Sequence, residues 1–178
     1  MDEIRTPVPV SFEFFPPNTQ VGSEKLRGVV AELAVTKPEF FSVTYGAGGS
    51  TREKTLHTVR AIAQAGYEAA PHLSCVGSTR DGLRETLATY RAHGFRRIVA
   101  LRGDLPSGTH TAGEFRHAAE LVRFIRETQG ADWHIEVAAY PEYHPGERYA
   151  ARDLRFYVDK VNAGANSAIT QFFFNPDA

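Results

Sequence analysis

"GEFRHAAELVRFIRETQG", residues 113–130, is followed after three residues by "HIEVAAYP", residues 134–141, and this stretch decides the fold. In the first segment apolar residues return at helical spacing, and Gly130 stands where a left-handed residue closes a helix. The second is apolar on successive positions, as a strand of a parallel sheet buried on both faces should be. The unit is therefore helix, then strand.

The same unit repeats in both directions along the chain. Five more strands are predicted: "VPVSFEFF" (8–15), "EFFSVTYG" (39–46), "EAAPHLSC" (68–75), "RRIVALRG" (96–103) and "AITQFFF" (168–174). Helix patterns lie between them. Ser23 is the expected cap of "EKLRGVVAELA", and the segments at 51–66, 79–94 and 147–164 end on Gly66, Gly94 and Gly164, as 113–130 does on Gly130. Strand-to-strand spacing of about 27 to 38 residues matches the ~31 per unit of an eight-fold (βα) barrel. A doubly wound sheet is the competing layout, but "FFPPNTQVGSEK" after the first strand is no glycine-rich phosphate loop. The expected fold is thus an α/β TIM-type barrel, one domain over residues 1–178, with about six βα units.

In such a barrel the C-terminal strand ends and the loops after them build the active site. Polar residues at those positions are therefore the candidates: Glu13, Thr44, His72, Arg102, Asp104, Tyr140, Glu142 and Gln171. Glu13, in "SFEFFPP", has Phe12, Phe14 and Phe15 beside it, and burial among aromatics should raise its pKa toward the range of a general acid. Gln171, next to three phenylalanines, is expected to be buried and in need of partners. Blander readings stand beside these. Asp104 could cap a helix or pair with Arg102; His72, after Pro71, could be a satisfied core histidine; "GAGGS" could be a phosphate cradle or a simple loop.

Composition excludes several classes. Among 178 residues, 42% are hydrophobic and the formal charge is −1, so no broad basic surface for nucleic acid or anionic membrane is expected. No apolar run approaches the ~20 residues of a membrane span, and "MDEIRTPVPV" lacks the pattern of a signal peptide, so a cytoplasmic location is expected. The single cysteine, Cys75, cannot form an intrachain disulfide and has no zinc-ligand spacing around it. No metal is expected.

Six stretches, "SFEFFPP", "SVTYGAGGSTR", "PHLSC", "RRIVALRGDLP", "VAAYPEYHP" and "GANSAITQFFF", together resemble the methylenetetrahydrofolate reductase family in order and spacing from residue 10 to 174. The resemblance implies a flavoprotein barrel that passes a hydride from NADH or NADPH to FAD and then to 5,10-methylenetetrahydrofolate. It implies that Glu13 is the general acid, that Asp104 stands between flavin and pterin, and that Gln171 contacts folate and nicotinamide. It places Thr44, Tyr45, Ala47, His72, Arg102, Gly103, Asp104, Ala118, Tyr140, His144, Asp153 and Lys160 at FAD, with Thr44 also meeting the nicotinamide nucleotide. Lys160 and Arg102 would answer the cofactor's negative charge.

Phe156 and Asp159 stand where family members carry an asparagine and a second basic residue. The resemblance further implies eight strands and later segments with a substrate-stacking phenylalanine and a folate-tail arginine, so the chain is expected to stop after the sixth strand. It also implies a homo-oligomer. Two other readings stay open: an FAD-binding barrel portion that needs a further segment or partner chain, and a generic barrel lyase or hydrolase with Glu13 and Asp104 as its acid pair.

Overall fold

A computed structural model describes residues 8–45, 49–104, 113–142, 144, 146–175 and 177. Six strands form one parallel sheet in sequential order: β1 (Ser11–Phe14), β2 (Phe40–Val43), β3 (Ala69–Ser74), β4 (Arg97–Leu101), β5 (His134–Ala139) and β6 (Ser167–Thr170). Five helices alternate with them: α1 (Gln20–Ala34), α2 (Gly49–Gln64), α3 (Arg80–Ala92), α4 (Ala118–Gln129) and α5 (Ala150–Asn162). Sequential parallel order with a helix at every crossover is the layout of a barrel, here a curled half-barrel of six strands.

The helices form where the apolar stripes predict. In α3, Leu83, Thr86, Leu87 and Tyr90 fall at i, i+3, i+4 and i+7 and are all buried; in α4, Leu121, Val122, Phe124 and Ile125, at i, i+1, i+3 and i+4, are buried too. Gly66, Gly94, Gly130 and Gly164 all have positive φ, so the predicted helix stops are where the chain turns. Two boundaries differ. The cap of α1 is Thr19, one turn before Ser23: its hydroxyl accepts from Gly22 N at 3.0 Å, while Ser23 Oγ donates to Thr19 O. α4 begins at Ala118 rather than at residue 113, with Glu120 reaching back to accept from Arg116 N at 2.8 Å.

The core lies between the sheet and its helices. Phe41 and Val43 of β2, Ala69 and Leu73 of β3, Ile98 and Ala100 of β4, and Ile135 and Val137 of β5 pack there with Val59, Leu87, Leu121 and Trp133. Side chains alternate across a strand, so Ser42, His72, Val99 and Glu136 turn to the opposite, concave face. That face carries a bonded polar cluster near the start of the strands. Arg97 Nη1 lies 2.5 Å from Glu136 Oε1, His134 Nε2 lies 3.1 Å from the same oxygen, and Ser167 Oγ donates to Glu136 Oε2. The Arg97 guanidinium also sits over the Phe40 ring, 4.4 Å from its centroid.

The sixth strand corrects one expectation. β6 stops at Thr170, and Gln171 is exposed rather than buried, with Phe172 and Phe174 also largely in solvent. No strand pairs with the outer edge of β6 among the described residues, so this run has a neighbour on one side only. Leu154, Val158 and Val161 form an exposed apolar stripe on α5 beside it.

Candidate active site

Parallel pairing sends the C-terminal ends of all six strands to one side, and the predicted polar residues gather there. After β4 the chain turns through Arg102, Gly103 and Asp104. Ser74 Oγ donates to Arg102 O at 2.8 Å, as does Val76 N, locking this turn against the end of β3. Gly103 has φ +79, and a Cβ there would stand 1.9 Å from Ser74 Oγ, so no other residue fits. Arg102 Nε donates to Gly103 O, and its guanidinium is 3.6 Å from Asp104 Oδ1. That pair is a loose one, since the Asp104 side chain is 92% exposed. Asp104 does not cap α4; His117 occupies that position without a side-chain cap bond.

A cleft of about 690 Å³ opens between the ends of β4 and β5 and helices α4 and α5. Arg102, Gly103, Asp104, Ala118, Tyr140, His144, Asp153 and Lys160 all line it, so eight residues scattered over 59 positions of sequence meet in one place. Its volume is within the ~300–1,000 Å³ of ordinary ligand sites. Tyr140 and His144 rings meet edge to face at 4.7 Å. Burial, together with Asp104 and Asp153 nearby, pushes the Tyr140 phenol above its ordinary value, so it stays a neutral donor. Lys160 donates to Ala138 O, and burial lowers its ammonium below the ordinary lysine range against the opposing pull of Asp153.

The cleft also contains residues that the sequence did not single out. His117 stacks on Phe156 at 4.7 Å and 23°, and Arg152 lies over the same ring at 5.5 Å. Arg123, Glu120 and Glu147 join the lining, and so do Phe156 and Asp159, which the sequence marks as departures from the family pattern. The signal of Glu120, Arg123 and Arg152 was present only as helix-face spacing on α4 and α5, which core and surface residues share, and His117 and Glu147, which precede those helices, carried none.

Glu13, Thr44, Tyr45, His72 and Gln171 lie at the same end of the sheet and do not line that cleft. Thr44 N donates to Phe14 O, and Thr44 O accepts from Thr55 Oγ1. Tyr45 OH accepts from Arg52 Nε at 3.1 Å. Gln171 N donates to Ala139 O, while its side-chain oxygen accepts from Phe172 N. Glu142 is exposed, and Ala47 lies outside the described residues.

Glu13 corrects a second expectation. Phe12 and Phe14 pack against the core on the helix side, so the intervening Glu13 turns to the concave face, and Phe15 is 80% exposed. The aromatics are neighbours in sequence but not around the carboxylate. Instead Glu13 Oε2 lies 3.2 Å from His72 Nε2. Attraction to the His72 ring, as donor and as charge, outweighs partial burial and holds the Glu13 carboxyl below its usual value. Beyond this contact, buried His72 Nε2 has no hydrogen-bond partner among the described residues.

Residues 3–178 match the family model described as Methylenetetrahydrofolate reductase. The chain belongs to the methylenetetrahydrofolate reductase family. Its relatives include 5,10-methylenetetrahydrofolate reductase of Salmonella typhimurium, 46% identical over 99% of this chain, and that of Escherichia coli, 45% identical over 99%. Methylenetetrahydrofolate reductase 2 of Schizosaccharomyces pombe is 40% identical over 94% of the chain. The chain spans 58% of the length of the two bacterial relatives and 28% of the yeast one. Solved structures agree on the fold alone: QR15, an aldolase, superposes with TM-score 0.61 at 15% identity over 94% of this chain and 70% of its own. A phosphoenolpyruvate phosphomutase from Streptomyces platensis gives 0.61 at 12% over 93% and 60%. For a methylenetetrahydrofolate reductase family member, the cleft and the Glu13–His72 contact are thus the two features at the strand ends that call for a chemical role.

Proposed function

We propose that this chain supplies the flavin- and folate-handling half-barrel of a methylenetetrahydrofolate reductase, a cytoplasmic enzyme of one-carbon metabolism that reduces 5,10-methylenetetrahydrofolate to 5-methyltetrahydrofolate. The observation that carries the reading is the cleft: eight of the residues that family resemblance assigns to FAD line it together. Its donor set suits a flavin nucleotide, with Arg102 and Lys160 for negative charge, Tyr140 and His144 as ring-edge partners, and the fixed turn at Gly103 offering backbone at close range. Bound FAD would take a hydride from NADH or NADPH and pass it to the folate.

The chain's own residues then have separate tasks. Asp104, exposed beside the cleft, places a negative charge where a cationic folate would develop. Glu13, at the end of β1, supplies the proton that opens the folate's five-membered ring. Thr44, after β2, and Gln171, after β6, offer polar groups to nicotinamide and folate. Among the described residues no strand pairs with the outer edge of β1 or of β6, which favours a second reading for the isolated chain, namely that it binds flavin but turns over only with a further segment or partner, including another copy of itself.

Titration of the purified chain with FAD, followed by visible absorption and flavin fluorescence, tests the reading. Saturable binding that weakens in Lys160→Ala and Arg102→Ala is expected. A chain that leaves flavin fluorescence untouched up to millimolar concentration rules the reading out.

A further inference from the structure

His72 is 95% buried, yet among the described residues its Nε2 faces only one polar partner, the half-exposed Glu13 carboxyl 3.2 Å away. A buried polar nitrogen without a good hydrogen bond is costly to keep unless it does something with the group beside it. The remaining charged groups of the concave face are occupied. Arg97, His134 and Glu136 bond to one another, and β2 contributes Phe40, Ser42 and Thr44, none of which titrates near neutrality. On α2, which packs behind β2 and β3, Arg52 and Lys54 are bonded to Tyr45 and Asn18, while Glu53, His57 and Arg60 point to solvent. The Glu13–His72 contact is therefore an isolated two-member acid–base pair at the mouth of the half-barrel.

We propose that Glu13 and His72 hold one proton between them, with His72 the positioning residue that stores this proton and returns it to Glu13 when a ligand covers the carboxyl. The inference deepens the folate-reducing reading and rests on it. With the site open to water, this proton lies between His72 Nε2 and the Glu13 carboxyl, 3.2 Å apart. Covering Glu13 with a flat ligand strips water from the half-exposed carboxylate, and the uncharged arrangement becomes the cheaper one. The Nε2–H bond breaks as Glu13 Oε2–H forms. Glu13 then turns its carboxylic acid outward, where its O–H bond breaks as an N–H bond forms on the folate. Neutral His72 and a Glu13 carboxylate remain, and one solvent proton enters through the half-exposed carboxyl when product leaves. Proton count closes with water as the only source. A carboxyl held low in the open site thus still serves as a general acid in the covered one, because the pair rather than either residue sets the titration.

The pair is tested first on the chain itself, without turnover. In ¹³C-carboxyl and ¹⁵N-imidazole NMR, His72→Gln should move the Glu13 titration upward, toward that of an ordinary glutamate, and Glu13→Gln should move the His72 Nε2 resonance more than that of any other histidine. The second variant alters a half-exposed side chain, so it remains informative if the first does not fold. A Glu13 titration unchanged in His72→Gln, or a His72 Nε2 resonance unmoved in Glu13→Gln, overturns the proposal. In the flavin-loaded full-length enzyme, single-turnover reoxidation by methylenetetrahydrofolate should slow on the order of 10²-fold in either variant, and no further in the double variant. Multiplying effects in the double variant would also overturn it. If Glu13→Gln leaves that step at full rate while the NMR coupling is present, the folate reading fails and the proton pair stands.

Discussion

Gly103 and Ser74 touch so closely that a single methyl group at position 103 would overlap the serine hydroxyl, 1.9 Å away. Ser74 in turn donates to Arg102 O, as does Val76 N, so the turn carrying Arg102 and Asp104 is fastened to the end of β3. Gly103→Ala must therefore either push Ser74 aside or abandon φ +79. We expect a loss of about 2–4 kcal/mol in stability from overpacking and backbone strain together, with flavin affinity falling at least tenfold. Urea denaturation and a fluorescence titration of the same sample separate the two effects; wild-type behaviour in both would mean that the turn is not fixed.

Glu13→Gln should separate two half-reactions in the complete enzyme. The proton is required only when the folate ring opens, so reduction of bound flavin by NADH should keep its rate while folate-dependent reoxidation falls on the order of 10²–10⁴-fold. Stopped-flow traces in which both steps slow equally would make Glu13 a structural residue.

Arg126 is expected to matter for stability and not for chemistry. Its guanidinium donates to Gly164 O from two nitrogens (2.9 and 2.7 Å), to Trp133 O at 2.7 Å and to Asn166 Oδ1 at 2.6 Å, tying the end of α4 to the loop that leads into β6. Burial draws this guanidinium below its ordinary value, without bringing it near neutrality. Arg126→Ala leaves several carbonyl oxygens without a donor, at ~1–3 kcal/mol for each that water cannot reach. A drop of roughly 2–4 kcal/mol in urea denaturation is expected, with flavin binding per folded molecule unchanged. Arg126→Lys should recover less than half of it, because a single ammonium cannot reproduce the four bonds to three separate acceptors.

Cys75 should be inert to alkylation in the folded chain. It is fully buried behind the Arg102 turn, and burial pushes its thiol up to about 12 from an ordinary 9.0. Iodoacetamide at pH 8 should label it only after denaturant is added. The same shift predicts a loss of stability at high pH. The unfolded thiol ionises above about 9 while the folded one holds its proton to about 12, so stability present below pH 9 declines as pH rises through that window. Labelling at the rate of a free thiol in native buffer would contradict both expectations.

Two acids show what sequence could and could not reveal here. Glu13 and Glu136 each stand inside an apolar run that reads as a strand, and the runs look alike on the page. One ends half-exposed against His72 and the other buried under Arg97, His134 and Ser167. Strand order, helix faces and glycine stops were legible because each depends on local period or on one residue's φ. Which acid is structural was not, since Arg97 and Ser167 reach Glu136 from two other strands. The error over the environment of Glu13 has the same root. Phe12 and Phe14 adjoin it along the chain, but a period of two sends them through the sheet to the core. The burial of Gln171 was misjudged for a related reason: an apolar sequence is covered only if another strand arrives beside it.

Sequential strand order also has a kinetic consequence. Each strand from β2 onward pairs with the one that precedes it in the chain, so every new pairing closes a loop no longer than one helix and its turns. Nothing in the described sheet must wait for a distant partner. Loop-closure entropy grows only slowly with length, and repeating one short closure keeps each increment similar. As the chain emerges from the ribosome, the sheet can therefore grow from its N-terminal end like a zip, each βα unit docking on a template already in place. The outer edge of β1, formed first, would be the longest to stand bare, and a chaperone's residence there should outlast its residence on any other strand.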